Sequence, residues 1–151
     1  MLENFIEIGV LPFAQKNQRV LDFGCGPEPV LAQLLRKKGF TVDLYDPFFN
    51  TDKANLNQHY QLITLTEVLE HISNPLEALL ILTRRLERGG AIVLMTLFHP
   101  DNQEKFESWW YRRDPTHVSF YTLATLRQLA EALGLSLVFS DGQRIAVLRN
   151  T

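Results

Sequence analysis

Residues 19–28 read Arg-Val-Leu-Asp-Phe-Gly-Cys-Gly-Pro-Glu, an apolar strand pattern that ends in Asp22 and breaks into a turn with Gly24 and Gly26. Glycine at both positions lets the backbone adopt dihedral angles that a Cβ would forbid. The amides of such a turn can approach a ligand closely, beneath the start of the helix that follows. The stretch therefore predicts a nucleotide site.

A second signal stands twenty residues after Gly26, where Asp46 follows the apolar run Thr41–Tyr45. An acidic side chain at the end of a second strand can accept hydrogen bonds from both ribose hydroxyls of a bound nucleoside. A glycine turn and an acid at this spacing together indicate an adenosine cofactor.

The residues around the turn favour one kind of adenosine cofactor. Turns that bind nicotinamide cofactors usually have the pattern G-x-G-x-x-G and no carboxylate beside it, because pyrophosphate needs bare amides. Here Asp22 lies two residues before Gly24, and Pro29 occupies the position of the third glycine. A carboxylate suits a ligand with a positive amino or sulfonium group, which S-adenosylmethionine has and NAD lacks.

The chain resembles class I S-adenosylmethionine-dependent methyltransferases, closest to small bacterial members, over roughly residues 19–149. Residues 19–28 resemble the first motif of that family. The stretches that resemble its later elements are 60–72, 74–75 and 86–90, followed by the Asp-Pro-Thr-His segment at 114–117.

The resemblance implies an α/β, Rossmann-like, doubly wound fold. Its sheet would be mostly parallel and of the seven-stranded type, with an antiparallel C-terminal strand. It also implies S-adenosylmethionine as cofactor and a set of cofactor-binding residues: Asp22, Phe23, Gly24, Cys25, Gly26, Asp46, Pro47, Thr66 and Glu67.

Two features depart from the family pattern. Glu28 replaces the third glycine of the methyltransferase motif and adds a negative charge near the methionine end of the cofactor. Alternatively, Glu28 complements the helix dipole in the first turn and points to solvent. In addition, only about a dozen residues separate Asp46 from the strand at 61, so the third strand region is shortened.

Length and composition predict a single domain over residues 1–151, which is long enough to cover both faces of a sheet. Cys25 is the one cysteine, so no internal disulfide forms and a reducing cytoplasm is expected. The N-terminal stretch lacks the features of a signal peptide or a membrane anchor. A net charge of −2 makes nucleic acid a weaker candidate partner than a small molecule.

Apolar runs alternate with helical patterns, as expected of a parallel sheet with crossover helices. Helices are predicted over 29–38, from the N-cap Asn74 to about Leu86, and over 123–133 with Thr122 as N-cap. The second helix should carry an apolar stripe with Leu76, Leu79, Leu80, Thr83 and Leu86. A strand over 91–97 and a hairpin of 135–139 with 144–148 complete the pattern.

Residues 98–121 combine seven aromatic side chains with arginines and two histidines, and we expect them to form a lid over the substrate. Such a lid would place Arg112 or Arg113 against an anionic group of the substrate. The alternative is a satellite hydrophobic cluster under a long connection. His117 is the leading candidate for the general base, and His71 competes with it.

The reading without a metal is preferred, but the string Glu67-x-x-Glu70-His71 leaves an alternative open. Some ubiquinone-pathway O-methyltransferases and small-RNA end methyltransferases look similar here and hold a divalent metal with such side chains, to which His117 could add a fourth ligand.

The function expected is methyl transfer from S-adenosylmethionine to oxygen or nitrogen of a small molecule. A degenerate methyltransferase fold that binds cofactor or a protein partner without catalysis is the main alternative, and a nicotinamide-dependent oxidoreductase a weaker one. Fewer than twenty residues precede the first strand, too few for the helical cap of many relatives. A neighbouring subunit could replace that cap, which predicts a homodimer.

Overall fold

Strand β1 (Arg19–Phe23) is paired on both sides and places the predicted glycine turn at the carboxyl edge of the sheet. The computed structural model describes residues 1–151. The other strands are β2 (Thr41–Tyr45), β3 (Tyr60–Thr66), β4 (Leu86–Met95), β5 (Ser136–Ser140) and β6 (Ile145–Arg149), in the spatial order β2-β1-β3-β4-β6-β5. Strand β6 runs antiparallel to its neighbours β4 and β5, whereas β1 to β4 are parallel.

Helices cover both faces of this sheet. They are α1 (Leu2–Phe5), α2 (Val30–Lys37), α3 (Pro75–Thr83) and α5 (Leu123–Ala132), and a further helix, α4 (Gln103–Ser108), has no buried residue. Side chains alternate along the strands, so Leu21 joins the core under α3 and α5, whereas Val20 joins the core under α1 and α2. Two buried cores on opposite faces define a doubly wound α/β fold and confirm the predicted fold class.

The third strand of the family pattern is absent rather than merely short. Between β2 and β3 the chain forms a turn at 46–50 and a 3₁₀ helix, Lys53–Asn57, so β2 is the edge of the sheet. The side chain of Asn55 donates to the carbonyl of Leu44 (2.9 Å), and the hydroxyl of Tyr60 donates to the carbonyl of Asn55 (2.8 Å). These bonds fasten the short connection directly onto the edge strand.

Helix α3 ends earlier than the apolar stripe predicted. It stops at Thr83, and Leu86 is the first residue of β4, because the backbone amide of Tyr60 takes the carbonyl of Arg85 as its acceptor (2.8 Å). Leu76 and Leu80 are 43% and 40% exposed. The prediction of one apolar stripe from Leu76 to Leu86 was therefore wrong. The hydrogen bond between Tyr60 and Arg85 places this part of the chain beside β3 instead of in a further helical turn.

The first residues of α2 and α5 show how a capping residue determines where a helix begins. Helix α2 begins at Val30, which is exposed, so Glu28 lies before the helix and not in its first turn. Helix α5 has the predicted cap, because the hydroxyl of Thr122 accepts from the amide of Thr125. A side chain with a hydroxyl thus located a helix start more reliably than apolar periodicity did.

The sequence pattern of the first ten residues predicts no helix or strand. In the structure α1 continues as a π-helical turn, Ile6–Val10, whose apolar side chains are buried on the sheet. A Cβ on Gly9 would lie 3.0 Å from Cγ1 of Val93, so this segment packs closely against β4. No helix in the structure is both long and apolar enough to span a bilayer.

Candidate functional site

A pocket of about 460 Å³ opens at the carboxyl ends of β1, β2 and β3, where doubly wound folds place their ligands. Six of the predicted cofactor residues line it: Phe23, Gly24, Gly26, Asp46, Pro47 and Glu67. The remaining lining residues are Phe48, Val68, His71, Ile72 and Ala78. Asp22, Cys25 and Thr66 belong to the same strand ends but do not line the pocket.

The glycine turn is shaped by contacts within the protein. Gly24 has a φ of +77°, and a Cβ on it would lie only 2.4 Å from Cγ2 of Val68. The amides of Gly24 and Cys25 both donate to the carbonyl of Tyr45, at 2.7 and 3.3 Å. These two amides therefore brace the turn against β2, whereas the sequence predicts that amides of the turn approach a ligand.

Asp22 is almost fully buried behind the turn. The hydroxyl of Thr64 on β3 donates to its carboxylate at 3.0 Å. Burial raises the pKa of Asp22 to about 6, although the Thr64 hydrogen bond and Arg36 oppose that rise. At pH 7 and above Asp22 is therefore mostly charged, one layer behind the pocket wall.

Asp46 is buried and already holds three backbone amides. Its Oδ2 accepts from Gly26 (3.0 Å), and its Oδ1 accepts from Phe48 (2.9 Å) and Phe49 (3.1 Å). The predicted ribose acceptor is thus also the clamp that joins the glycine turn to the turn at 46–50. A carboxylate can accept about four hydrogen bonds, which leaves little of this one for a ligand.

Glu67 has a φ of +54°, which is unusual for a residue with a long side chain. Its amide donates to the carbonyl of Met95 (2.8 Å), and its Oε2 lies 3.1 Å from the hydroxyl oxygen of Tyr111. Burial, together with the neighbouring Glu70, raises the pKa of Glu67 to about 7. The strained backbone and the Tyr111 contact hold this carboxyl group at the pocket wall.

Glu70 is completely buried next to Glu67. Its Oε1 accepts a hydrogen bond from the hydroxyl of Tyr111, and no amide or hydroxyl donates to its Oε2. The Tyr111 hydroxyl also lies 3.3 Å from Oγ1 of Thr96. Burial and the adjacent carboxylates raise the pKa of Tyr111, so it stays a neutral donor. Glu70 is also hydrogen-bonded to the carboxyl group of Glu67, so a proton held by Glu67 is the remaining donor within this buried pair.

Two histidines stand beside this carboxyl pair. Nδ1 of His71 lies 3.0 Å from the carbonyl of Thr116, and Nδ1 of His117 lies 2.7 Å from the carbonyl of Tyr111. A carbonyl only accepts, so the network assigns a proton to Nδ1 in both rings and leaves Nε2 as the second ring nitrogen. The ring centroids are 4.8 Å apart, but only His71 lines the pocket.

The same residues fit a divalent cation. Ligand atoms of Glu70, His71 and His117 all lie within 4.8 Å of one another, and Glu67 is outside that group. Histidines that ligate metals commonly donate their other N–H to a backbone carbonyl, as both do here. The Oε2 of Glu70, to which no amide or hydroxyl donates, supplies a buried anionic acceptor for the ion.

Residues 98–121 do not cover the pocket, since none of them lines it. The rings of Phe106, Trp109 and Phe120 contact one another with centroids 5.6–6.1 Å apart. Arg112 donates to the carbonyl of Glu107 and lies over the Phe106 ring, so it is not directed at a ligand. These rings form a cluster that reaches the site through Tyr111, and the lid over the substrate stays a prediction.

Glu28 does not enter the site. Its side chain is exposed, and it is absent from the pocket lining. The position of Glu28 therefore agrees with the alternative in which its side chain points to solvent. It does not agree with the alternative in which Glu28 places a negative charge near the methionine end of the cofactor.

Comparison with known proteins gives a consistent result. Residues 4–139 match the family model described as "Methyltransferase domain". No curated protein matches the sequence. Among solved structures, a SAM-dependent methyltransferase from Archaeoglobus fulgidus is similar with a TM-score of 0.73 and 17% identity, over 99% of this chain and 92% of that one.

Two larger proteins share the fold. CalO1, a methyltransferase in calicheamicin biosynthesis solved with SAH bound, has a TM-score of 0.70 and 19% identity over 99% of this chain. An O-methyltransferase family protein from Burkholderia thailandensis has a TM-score of 0.72 and 17% identity over the same share. The chain spans 54% and 55% of their lengths.

The family model covers most of the chain. The chain therefore belongs to the methyltransferase-domain family, and the resemblance to class I S-adenosylmethionine-dependent methyltransferases is confirmed.

Proposed function

We propose that the protein transfers a methyl group from S-adenosylmethionine to oxygen or nitrogen of a small molecule. The observation that carries this proposal is the convergence of Asp46 and Glu67 on one pocket beside a glycine turn, with Asp22 buried behind that turn. Acidic groups at this edge suit a cationic nucleoside cofactor and disfavour a pyrophosphate.

The cofactor, when bound, supplies a methyl carbon already activated by its sulfonium, so the protein chiefly aligns the reactants. The pocket wall binds the cofactor. The histidines take up the proton that the methyl acceptor loses. Because His71 lines the pocket and the ring of His117 meets it edge to face at 4.8 Å, we assign proton acceptance to this pair. His117 then acts through His71 or after a movement of the aromatic segment.

Calorimetric titration tests the cofactor. We expect S-adenosylmethionine and S-adenosylhomocysteine to bind with a stoichiometry of one, and NAD to show no heat of binding, because the carboxylates repel its pyrophosphate. Absence of binding by the first two ligands would contradict the proposal. Cofactor binding without turnover on a broad panel of hydroxyl and amine acceptors would favour the non-catalytic alternative.

A divalent cation at Glu70, His71 and His117 is a second proposal, supported by the buried Oε2 of Glu70. Such an ion would supply a Lewis acid that could hold an acceptor oxygen. We expect Mn²⁺ to bind the wild-type protein and His117→Gln to weaken that binding at least ~10-fold. His99→Gln is the matched control, since His99 lies outside this cluster.

If wild type binds no Mn²⁺, the metal proposal fails and the histidines remain candidates for proton transfer alone. His117→Gln should then lower turnover and leave cofactor affinity unchanged. Unchanged turnover in that variant would remove His117 from the mechanism.

A further inference from the structure

A second cavity, of about 380 Å³, lies at the edge of the sheet opposite the glycine turn, and it shares no lining residue with the pocket at that turn. Among its lining residues, Gln18 stands directly before β1, Gln61 is the second residue of β3, and Arg149 ends the antiparallel strand β6. These positions place it at the amino ends of the parallel strands, so we call it the amino-edge cavity. The proposed methyl transfer makes no use of it.

An irregularity in β4 forms one wall of the amino-edge cavity. Residues 87–90 of β4 stand opposite a single residue of β3, Gln61, so the chain bulges out of the sheet there. The carbonyl of Gly89 accepts from Nε of Arg149 at 3.2 Å, which fastens the bulge to the end of β6. Bulges commonly redirect side chains, and this one brings Arg88 to the same cavity as Arg149.

The polar side chains of the cavity hold several hydrogen-bond donors that have no acceptor in the protein. Arg149 commits only Nε, and neither Arg88 nor Arg149 belongs to an ion pair. The side-chain oxygen of Gln18 accepts from the backbone amide of Gln15 at 2.7 Å, which leaves the NH₂ group of Gln18 free. A ligand in this cavity therefore meets unpaired donors, two of them on charged guanidinium groups.

No acidic side chain lines the cavity to neutralise these arginines. Glu87, the neighbour of Arg88 in the chain, is exposed, and its Oε2 accepts from Nε2 of Gln61 at 2.7 Å. The chain as a whole carries a net charge of −2, so it does not attract anions in general. An anion bound at this edge is therefore held by the local arginines.

We propose that the amino-edge cavity binds the phosphate group of a small phosphomonoester through Arg88 and Arg149. Guanidinium groups match phosphate oxygens with paired donors, and three terminal oxygens use more of the free donors than the two of a carboxylate. Leu11 and Phe13 supply an apolar wall for the organic part of the ligand. The volume falls within the range of small-molecule sites, roughly 300–1,000 Å³, and a concave site suits a small molecule better than a polymer. This inference is independent of the proposed methyl transfer.

The test is an NMR titration of the isotope-labelled protein with phenyl phosphate, which joins a phosphate dianion to an apolar ring at about pH 7.5. We expect saturable shifts of the amide signals of Gly89 and Gly90, while the signals of Gly24 and Gly26 stay in place. Arg88→Gln combined with Arg149→Gln should weaken binding at least ~10-fold, because charge-assisted hydrogen bonds are lost. Both arginines are exposed, so this double variant should remain folded.

Arg84→Gln combined with Arg127→Gln is the matched control, since it removes the same charge from exposed side chains outside the cavity and should change the affinity by no more than ~2-fold. Equal weakening in the two double variants would overturn the proposal, because binding would then follow net charge. Absence of saturable shifts, shifts confined to Gly24 and Gly26, or equal binding of neutral phenol would overturn it as well. Stronger shifts of the same amides by a short oligothymidylate would assign the edge to nucleic acid instead.

Discussion

Gly24→Ala is expected to abolish cofactor binding and to lower the free energy of unfolding by ~2–5 kcal/mol. Gly24 has a φ of +77°, and the new Cβ would lie 2.4 Å from Cγ2 of Val68. Alanine therefore combines the cost of a left-handed backbone with that of overpacking. The turn must shift to relieve the contact, and this moves the amides that brace it against Tyr45. Urea unfolding and calorimetry with S-adenosylhomocysteine measure the two effects.

Gly26→Ala is the matched control. Gly26 also has a positive φ, +67°, but a Cβ on it would meet nothing within 4 Å. We expect only the backbone cost of ~1–2 kcal/mol in that variant. The double variant Gly24→Ala with Val68→Ala should recover part of the lost stability, because it removes the two nearest methyl groups. Equal losses in the two glycine variants would show that the Val68 contact is unimportant.

The sheet could be predicted because its signals are local. The strand ending in Asp22, the glycine turn and the Thr122 cap each depend on a few consecutive residues. The hairpin was placed to within a residue, since the turn at 141–144 separates two apolar runs. The end of α3 was wrong because a long-range bond to Tyr60 determines it, which no periodicity reveals.

Only part of the candidate site could be predicted, because some of its residues have a local sequence signal and others are joined only by long-range contacts. Residues with distinctive chemistry at strand ends were found, whereas Val68, Ile72 and Ala78 carry no signal that separates a pocket wall from a core. The contact of Tyr111 with Glu67 and Glu70 joins residues more than 40 positions apart. Such a cluster follows from the packing of the aromatic segment, and its composition alone suggested a lid.

Asp46 also shows what a motif leaves out. The motif predicts that Asp46 contacts the ligand, but it does not reveal that the same carboxylate holds backbone amides in place. We expect Asp46→Ala to lower the free energy of unfolding of the ligand-free protein by ~3 kcal/mol, since hydrogen bonds to a charged acceptor contribute ~1.5–3 kcal/mol each and do not add fully. Three backbone amides would lose their acceptor, those of Gly26, Phe48 and Phe49. Cofactor affinity should fall at the same time.

Asp46→Asn separates the two roles. Its remaining oxygen can still accept from Phe48 and Phe49, while its NH₂ group replaces Oδ2 and faces the amide of Gly26. We therefore expect an intermediate stability and a loose glycine turn, with most of the loss appearing in cofactor affinity. Asp52→Asn is the control, because the carboxylate of Asp52 accepts from one exposed amide, that of Ala54, and should matter less. If Asp46→Ala leaves the ligand-free protein as stable as wild type, the clamp contributes nothing and Asp46 serves the ligand alone. A fall in stability that matches the loss of affinity across both variants would instead mean that the carboxylate acts on the ligand by holding Gly26 in place.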